Sequence, residues 1–201
     1  MLYIYGEADG RILRFRVSND AFFQADPPVV QRLANRMAEI ISAEMGPNRL
    51  TDNLLDLYAG VGAFGISLAR KVQGVYSVEV GGSAVQDMEF NLGENRVINL
   101  AVYRGTVGSF LKRFRGQAGA VIVDPPRAGL DPDARDSLIR LSPPLLLYVS
   151  CRPATLARDL SAFVSSGKYR VDSVQIFDQF GRTHHIESLS VLKFFSRYFS
   201  R

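Results

Sequence analysis

From Asn53 onward, apolar runs recur with helix-like segments between them. The runs are "NLLDLY", "GVYSVEV", "LAVYR", "AGAVIVD", "LLLYVSC", "RVDSVQIF" and "HIESLSVLKFF". Amphipathic stretches separate the first six, whereas the last two are joined only by "DQFGRTHH". Such alternation predicts a parallel sheet with helices on both faces. A parallel crossover needs a dozen or more residues, so the last strand is predicted to run antiparallel. The α/β core is therefore read as seven strands, six parallel and one terminal antiparallel. Upstream, "YIYG" and "RILRFRV" flank "EADG" as a short hairpin, and "SNDAFFQAD" is a loop. In "DPPVVQRLANRMAEIISAEMG", Asp26 suits a cap, Pro27 the first turn and Gly46-Pro47 the stop. Val29, Val30, Leu33, Met37, Ile40 and Ile41 form its apolar stripe.

Composition narrows the class. With 201 residues, 47% apolar and 22% charged, the chain reads as one globular domain with a small appendage. Residues 1–20 read as the remnant of a larger central or N-terminal region, because a lone hairpin is marginal. No apolar run reaches the roughly 20 residues of a membrane span, and the start lacks signal-peptide character. A cytoplasmic location, no membrane partner and a monomer are expected. The single cysteine excludes an internal disulfide and cannot alone build a zinc or iron–sulfur site. His184 and His185 are adjacent, so no metal is expected. The net charge of +4, rich in arginine, permits a polyanionic partner.

"NLLDLYAGVGAFGISLA" reads strand, glycine turn, helix. Gly60, Gly62 and Gly65 satisfy G-x-G-x-x-G, and Glu79 follows 19 residues after Gly60, a pattern shared with dinucleotide sites. Asp56 separates the candidate ligands: a carboxylate there repels a pyrophosphate but suits the ammonium and sulfonium of S-adenosylmethionine. Glu79 is placed to accept from two ribose hydroxyls. The plainer alternatives are a turn-forming aspartate and an exposed strand-end glutamate. "AGAVIVDPPRAGL" sets Asp124 at the end of the fourth strand, before two prolines that cannot extend the ladder. Amino-group methyltransferases follow a related motif with a base-stacking aromatic; Arg127 stands here instead. Asp124 is thus suited to accept an imide N–H, and Arg127 to donate to a carbonyl or phosphate. Cys151 ends the fifth strand, about 4.8 Å from the fourth, and opens on the same crevice. The helix beginning in "RPATLARDL" is expected to favour its thiolate. Glu187 begins the antiparallel strand and faces Cys151 if that strand inserts beside the fifth. His184 and His185 are second candidates for a base. Phe22 and Phe23 are candidates for stacking or for core packing.

Together these residues resemble the uracil-5-methyltransferases of transfer and 23S ribosomal RNA. The likeness runs from about Phe15 through "FFQAD", "LLDLYAGVGAFG", "VEV", "VDPPRAGL", "YVSCRPATLARDL" and "THHIES". The last three, in this order, are the specific ones. The resemblance implies a Rossmann-like S-adenosylmethionine-dependent methyltransferase fold, with residues 21–201 as the catalytic domain. It implies methylation of uridine C5 in tRNA or rRNA through a covalent cysteine–C6 adduct. Cys151 becomes the nucleophile and Glu187 the proton acceptor, and Asp124 and Arg127 match required positions. Gln24, Tyr58, Glu79 and Asp124 become cofactor or active-site contacts, beside Asp56, Gly60 and Gly62 of the loop. Ala63 and Arg152 stand where the family usually has asparagine, Thr106 where an acidic residue is common, and Gly181 where proline is usual. Family members usually carry an N-terminal OB-type RNA-binding domain, and some an iron–sulfur cluster. A catalytic-domain fragment or a reduced protein is therefore expected. The rival readings are an RNA cytosine-5 methyltransferase, an RNA-binding module with a degenerate cofactor site, and a dehydrogenase. The first usually has a cysteine after the motif's proline, absent from "DPPRAG".

Overall fold

The computed structural model describes residues 2–8, 10–18, 27–45, 52–178 and 186–195. Strands β1 (Leu2–Ala8) and β2 (Arg11–Val17) form an antiparallel hairpin, and helix α1 (Pro27–Met45) follows. Then come β3 (Asn53–Leu57), α2 (Ala63–Leu68), β4 (Gly74–Glu79), α3 (Gly82–Asn95), β5 (Leu100–Arg104), α4 (Val107–Arg113), β6 (Ala118–Val123), α5 (Pro132–Leu141), β7 (Leu145–Ser150), α6 (Pro153–Ser165), β8 (Tyr169–Asp178) and β9 (Ile186–Phe194). Strands β3 to β9 form one sheet in the order β5-β4-β3-β6-β7-β9-β8. Only β9 is antiparallel to its neighbours, inserted between β7 and β8. The expected six-plus-one arrangement is present.

All six residues of β6 and all six of β7 are buried, as strands covered on both faces require. Leu54, Ala120, Ile122, Leu147 and Val149 pack under α1 and α2; Leu55, Val121, Val123, Leu146 and Tyr148 pack under α4, α5 and α6. The stripe read for α1 is buried throughout, with Val29, Leu33 and Met37 at 0% exposure. No described helix is long and apolar enough to cross a membrane.

The hairpin docks on the sheet's helical layer through side chains that stand in for a missing strand. Four helix residues rise about 6 Å and two strand residues about 6.8 Å, so Asn91 and Asn95 on α3 match Arg16 and Arg14 on β2. Arg16 N–H donates to Asn91 Oδ1 at 2.6 Å, and Asn91 Nδ2 donates back to the Arg16 carbonyl at 3.1 Å. Asn95 makes the same pair with Arg14 at 2.9 and 2.8 Å. Asp87, a turn earlier, accepts from Ser18 N–H and Arg16 Nε, both at 2.6 Å. Asn91 Nδ2 also donates to the Val61 carbonyl at 3.1 Å, tying the hairpin to the glycine turn. Asn91→Ala would strand several buried polar groups, each costing about 1–3 kcal/mol. A loss of roughly 2–3 kcal/mol is expected, read as a lower urea midpoint at unchanged slope.

Candidate active site

The glycine turn leaves β3 through three residues with left-handed backbone: Tyr58 (φ 63°), Gly60 (55°) and Gly62 (87°). For tyrosine that conformation is strained and needs to be held. The phenol of Tyr58 donates to Asp131 Oδ2 at 3.2 Å, and burial beside Asp131 pushes its pKa up. Gly65 is required by close approach: a Cβ there would lie 2.7 Å from both Asp56 Oδ2 and Ser77 Oγ. Without one, Gly65 N–H donates to Asp56 Oδ2 at 3.0 Å and the Ser77 hydroxyl does so at 3.2 Å. Asp56 thus lies beneath the turn, 1% exposed, with Oδ1 buried and unpartnered. Burial first, then the negative charges of Asp124 and Glu79, push its carboxyl up to about 7 against the Gly65 and Ser77 bonds. Glu79, at the end of β4, is half-buried. Gly60 N–H reaches its Oε2 at 2.9 Å, and Val80 and Gly81 N–H reach Oε1 at 2.8 and 2.7 Å. Three backbone donors fix this carboxylate at the carboxyl edge of the sheet.

The second half of the site lies across β6, β7 and β9. Val123 pairs with Tyr148 in the parallel β6–β7 ladder, and Ser150 pairs with Ser188 across β7–β9. One step beyond each ladder stand Asp124, Cys151 and Glu187. The Ser188 hydroxyl donates to the Ser150 carbonyl at 3.0 Å and pins that corner. Glu187 is 4% exposed with Oε2 unpartnered. Burial, reinforced by Asp124 and opposed by Arg127, pushes its carboxyl up to about 7. Cys151 is partly buried, and the nearby Arg127 guanidinium favours its thiolate. Burial and the charge of Glu187 nevertheless raise the thiol above its ordinary value. The expectation that the α6 N-terminus would make Cys151 a ready thiolate is therefore outweighed in the free protein. The edge is rich in carboxylates, with Arg127 as the cation acting on both Cys151 and Glu187.

Gln24, Phe22, Phe23, Gly181, His184 and His185 lie outside the described residues. Thr106, at the position where an acidic residue was expected, caps α4 by accepting from Ser109 N–H at 3.3 Å. Ala63 opens α2, and Arg152 is the N-cap residue of α6. Asp131 and Ser77 escaped the sequence reading. Asp131-Pro132 carries a cap signature, and Asp131 does cap α5, accepting from Ala134 N–H at 2.8 Å. Its second oxygen, which holds Tyr58, had no local signal. Ser77 was visible only as a polar residue inside the apolar run "GVYSVEV".

Comparison with known proteins finds relatives by sequence and by fold. A family model described as tRNA (uracil-5-)-methyltransferase matches residues 5–118 and 110–194. An uncharacterised RNA methyltransferase of Thermosynechococcus vestitus is 36% identical over 94% of the chain and 41% of its own length. One from Enterococcus faecalis is 36% identical over 90% of the chain and 39% of its own. Among solved structures, Pyrococcus abyssi tRNA (uracil-54, C5)-methyltransferase, bound to S-adenosyl-L-homocysteine, superposes with a TM-score of 0.77 at 29% identity. That match covers 94% of this chain and 44% of the other. The M. jannaschii tRNA m1G37 methyltransferase, at 14% identity and TM-score 0.64, shares the fold. The chain spans less than half the length of the two curated RNA methyltransferases and of the P. abyssi enzyme.

Proposed function

The chain belongs to the tRNA (uracil-5-)-methyltransferase family, and from that premise we propose that it methylates C5 of a uridine in tRNA or 23S rRNA through a covalent bond between Cys151 and C6 of the base. The observation that carries the reading is the corner itself: a thiol beside the Arg127 guanidinium and a buried carboxylate with one unpartnered oxygen and a pKa near 7.

The residues fit S-adenosylmethionine as the cofactor. Asp56, Glu79 and Asp124 crowd one edge closely enough that Asp56 feels the other two charges, and its Oδ1 lacks a partner. A cationic ligand relieves that repulsion, whereas a pyrophosphate would add to it, which disfavours a dinucleotide. Glu79, fixed by three N–H groups, is suited to two ribose hydroxyls. The bound cofactor supplies an electrophilic methyl group.

The chain's own residues supply the remainder. The Cys151 thiolate adds to C6, and the C5–C6 π pair moves onto C5 and the O4 enolate, making C5 a nucleophile. Arg127 favours the thiolate before addition. After C5 is methylated, the Glu187 carboxylate removes the C5 proton. The released pair restores C5–C6 and expels the thiolate. Asp124 is placed to accept the imide N–H of the base, which has to leave any helical stack to reach the corner.

RNA carrying 5-fluorouridine tests this. Fluorine cannot leave as a proton, so wild-type protein with S-adenosylmethionine is expected to accumulate an adduct that survives a denaturing gel. Absence of adduct with tRNA and 23S fragments, in protein that binds the cofactor by calorimetry, would refute the covalent route. Absence of cofactor binding by folded protein would favour the non-catalytic RNA-binding reading.

A further inference from the structure

The loop that carries Arg127 is clamped to α6 by side chains with no role in the chemistry above. The Thr155 hydroxyl shares its one proton between the Arg127 carbonyl at 3.2 Å and the Arg152 carbonyl at 3.1 Å, bridging the loop to the start of α6. Arg158 Nη2 donates to the Ala128 carbonyl at 2.9 Å, and Asp159 Oδ2 accepts Leu130 N–H at 2.9 Å. Gly129, at φ 78°, lies so close that a Cβ there would sit 2.5 Å from Asp159 Oδ2. Asp159 is fully buried. It accepts from the Tyr148 hydroxyl at 2.7 Å and from Arg158 at 2.9 and 3.0 Å. Its sequence signal is a charge on the apolar stripe of Leu156 and Phe163, which is unstable unless the site is built around it.

We infer that Thr155, Arg158 and Asp159 are positioning residues whose clamp on the Arg127–Leu130 backbone sets where the Arg127 guanidinium lies relative to Cys151. All three lie on the helix that directly follows Cys151, so the nucleophile and its cation are fixed from one rigid element. Asp159 supports the buried end through Tyr148 and Leu130. Arg158, whose side chain is 51% exposed, grips the carbonyls from outside. This deepens the role given to Arg127, and its catalytic consequence rests on the proposed function. The positional claim does not, because it is read on the thiol alone.

Cys151 is the only cysteine, so iodoacetamide labelling followed by mass spectrometry reports its thiolate directly, without RNA or cofactor. Arg127→Ala is expected to shift the pH profile of labelling upward and slow it about tenfold near pH 8, the effect of one pKa unit. Arg158→Ala and Thr155→Val are expected to shift the profile in the same direction. Neither should add to Arg127→Ala in the double variants, because groups acting through one another are not additive. Thermal melts identify which variants are folded, and Thr155→Val retains the helix if Arg158→Ala does not. A wild-type labelling profile in folded clamp variants would overturn the inference, as would clamp effects that add fully to Arg127→Ala. Should labelling respond as expected while no 5-fluorouridine adduct forms, the clamp stands and the proposed function fails.

Discussion

Replacing Cys151 by alanine is expected to abolish methyl transfer, a loss on the order of a million-fold, the scale on which removing an enzymatic nucleophile acts. Without covalent addition at C6, C5 of uracil has too little electron density to attack a methyl sulfonium, and among the described residues no other group at this corner can supply it. Arg127 is a cation and cannot add to C6. Asp124 and Glu187 are carboxylates, and the burial that raises Glu187 to about 7 makes it a proton acceptor rather than a carbon nucleophile. The substitution should spare the fold. Cys151 lies beyond the last residue of β7, is only half-buried, and leaves the fully buried run Leu145–Ser150 untouched. A stability change below about 1 kcal/mol is expected for so small a truncation. Cofactor affinity by calorimetry should also be retained, because Glu79 and the glycine turn lie across β3 and β4. Transfer of labelled methyl to RNA checks the prediction: retention of turnover within tenfold of wild type would remove the covalent mechanism.

The sequence made the sheet legible because its signals are local and periodic. Apolar runs alternated with amphipathic stretches, one connection was too short for a crossover, and the α1 stripe had helical spacing. Even the approach of Glu187 to Cys151 followed once β9 was placed next to β7. What escaped was carried by partners distant in sequence. The Asn91–Asn95 row looks like polar interruption of a helix until β2 lies along it. Asp131 reads as a cap, and only the folded turn brings Tyr58 to its other oxygen. Thiol ionisation likewise depends on distant partners. The helix N-terminus is visible in "RPATLARDL", but burial and the facing Glu187 depend on the whole sheet. Long-range burial sets the chemistry of this corner, and no window of sequence contains it.

Glu187→Gln is expected to move activity and stability in opposite directions. In the proposed mechanism Glu187 accepts the proton after the methyl group has reached C5, so the variant should lose about 10²–10⁴-fold in turnover. Adduct formation with 5-fluorouridine RNA should persist, because that step precedes the carboxylate's use. In wild type, with the carboxyl near 7, the rate should rise with pH through that value as the base is freed. Stability runs the other way. The folded-state pKa lies above the ordinary 4.5, so between about 4.5 and 7 the native state binds more protons than the unfolded chain. Raising pH through that window therefore costs stability, and above it the protein carries a buried charge with an unpartnered oxygen. Glutamine keeps the shape without the charge. The variant should be more stable than wild type at pH 8 by roughly 1–3 kcal/mol, and the difference should vanish near pH 4. Urea titrations at the two pH values measure it. Equal stabilities at pH 8 would mean that Glu187 is not strained as the structure has it. Normal turnover by the variant would move the base to another residue.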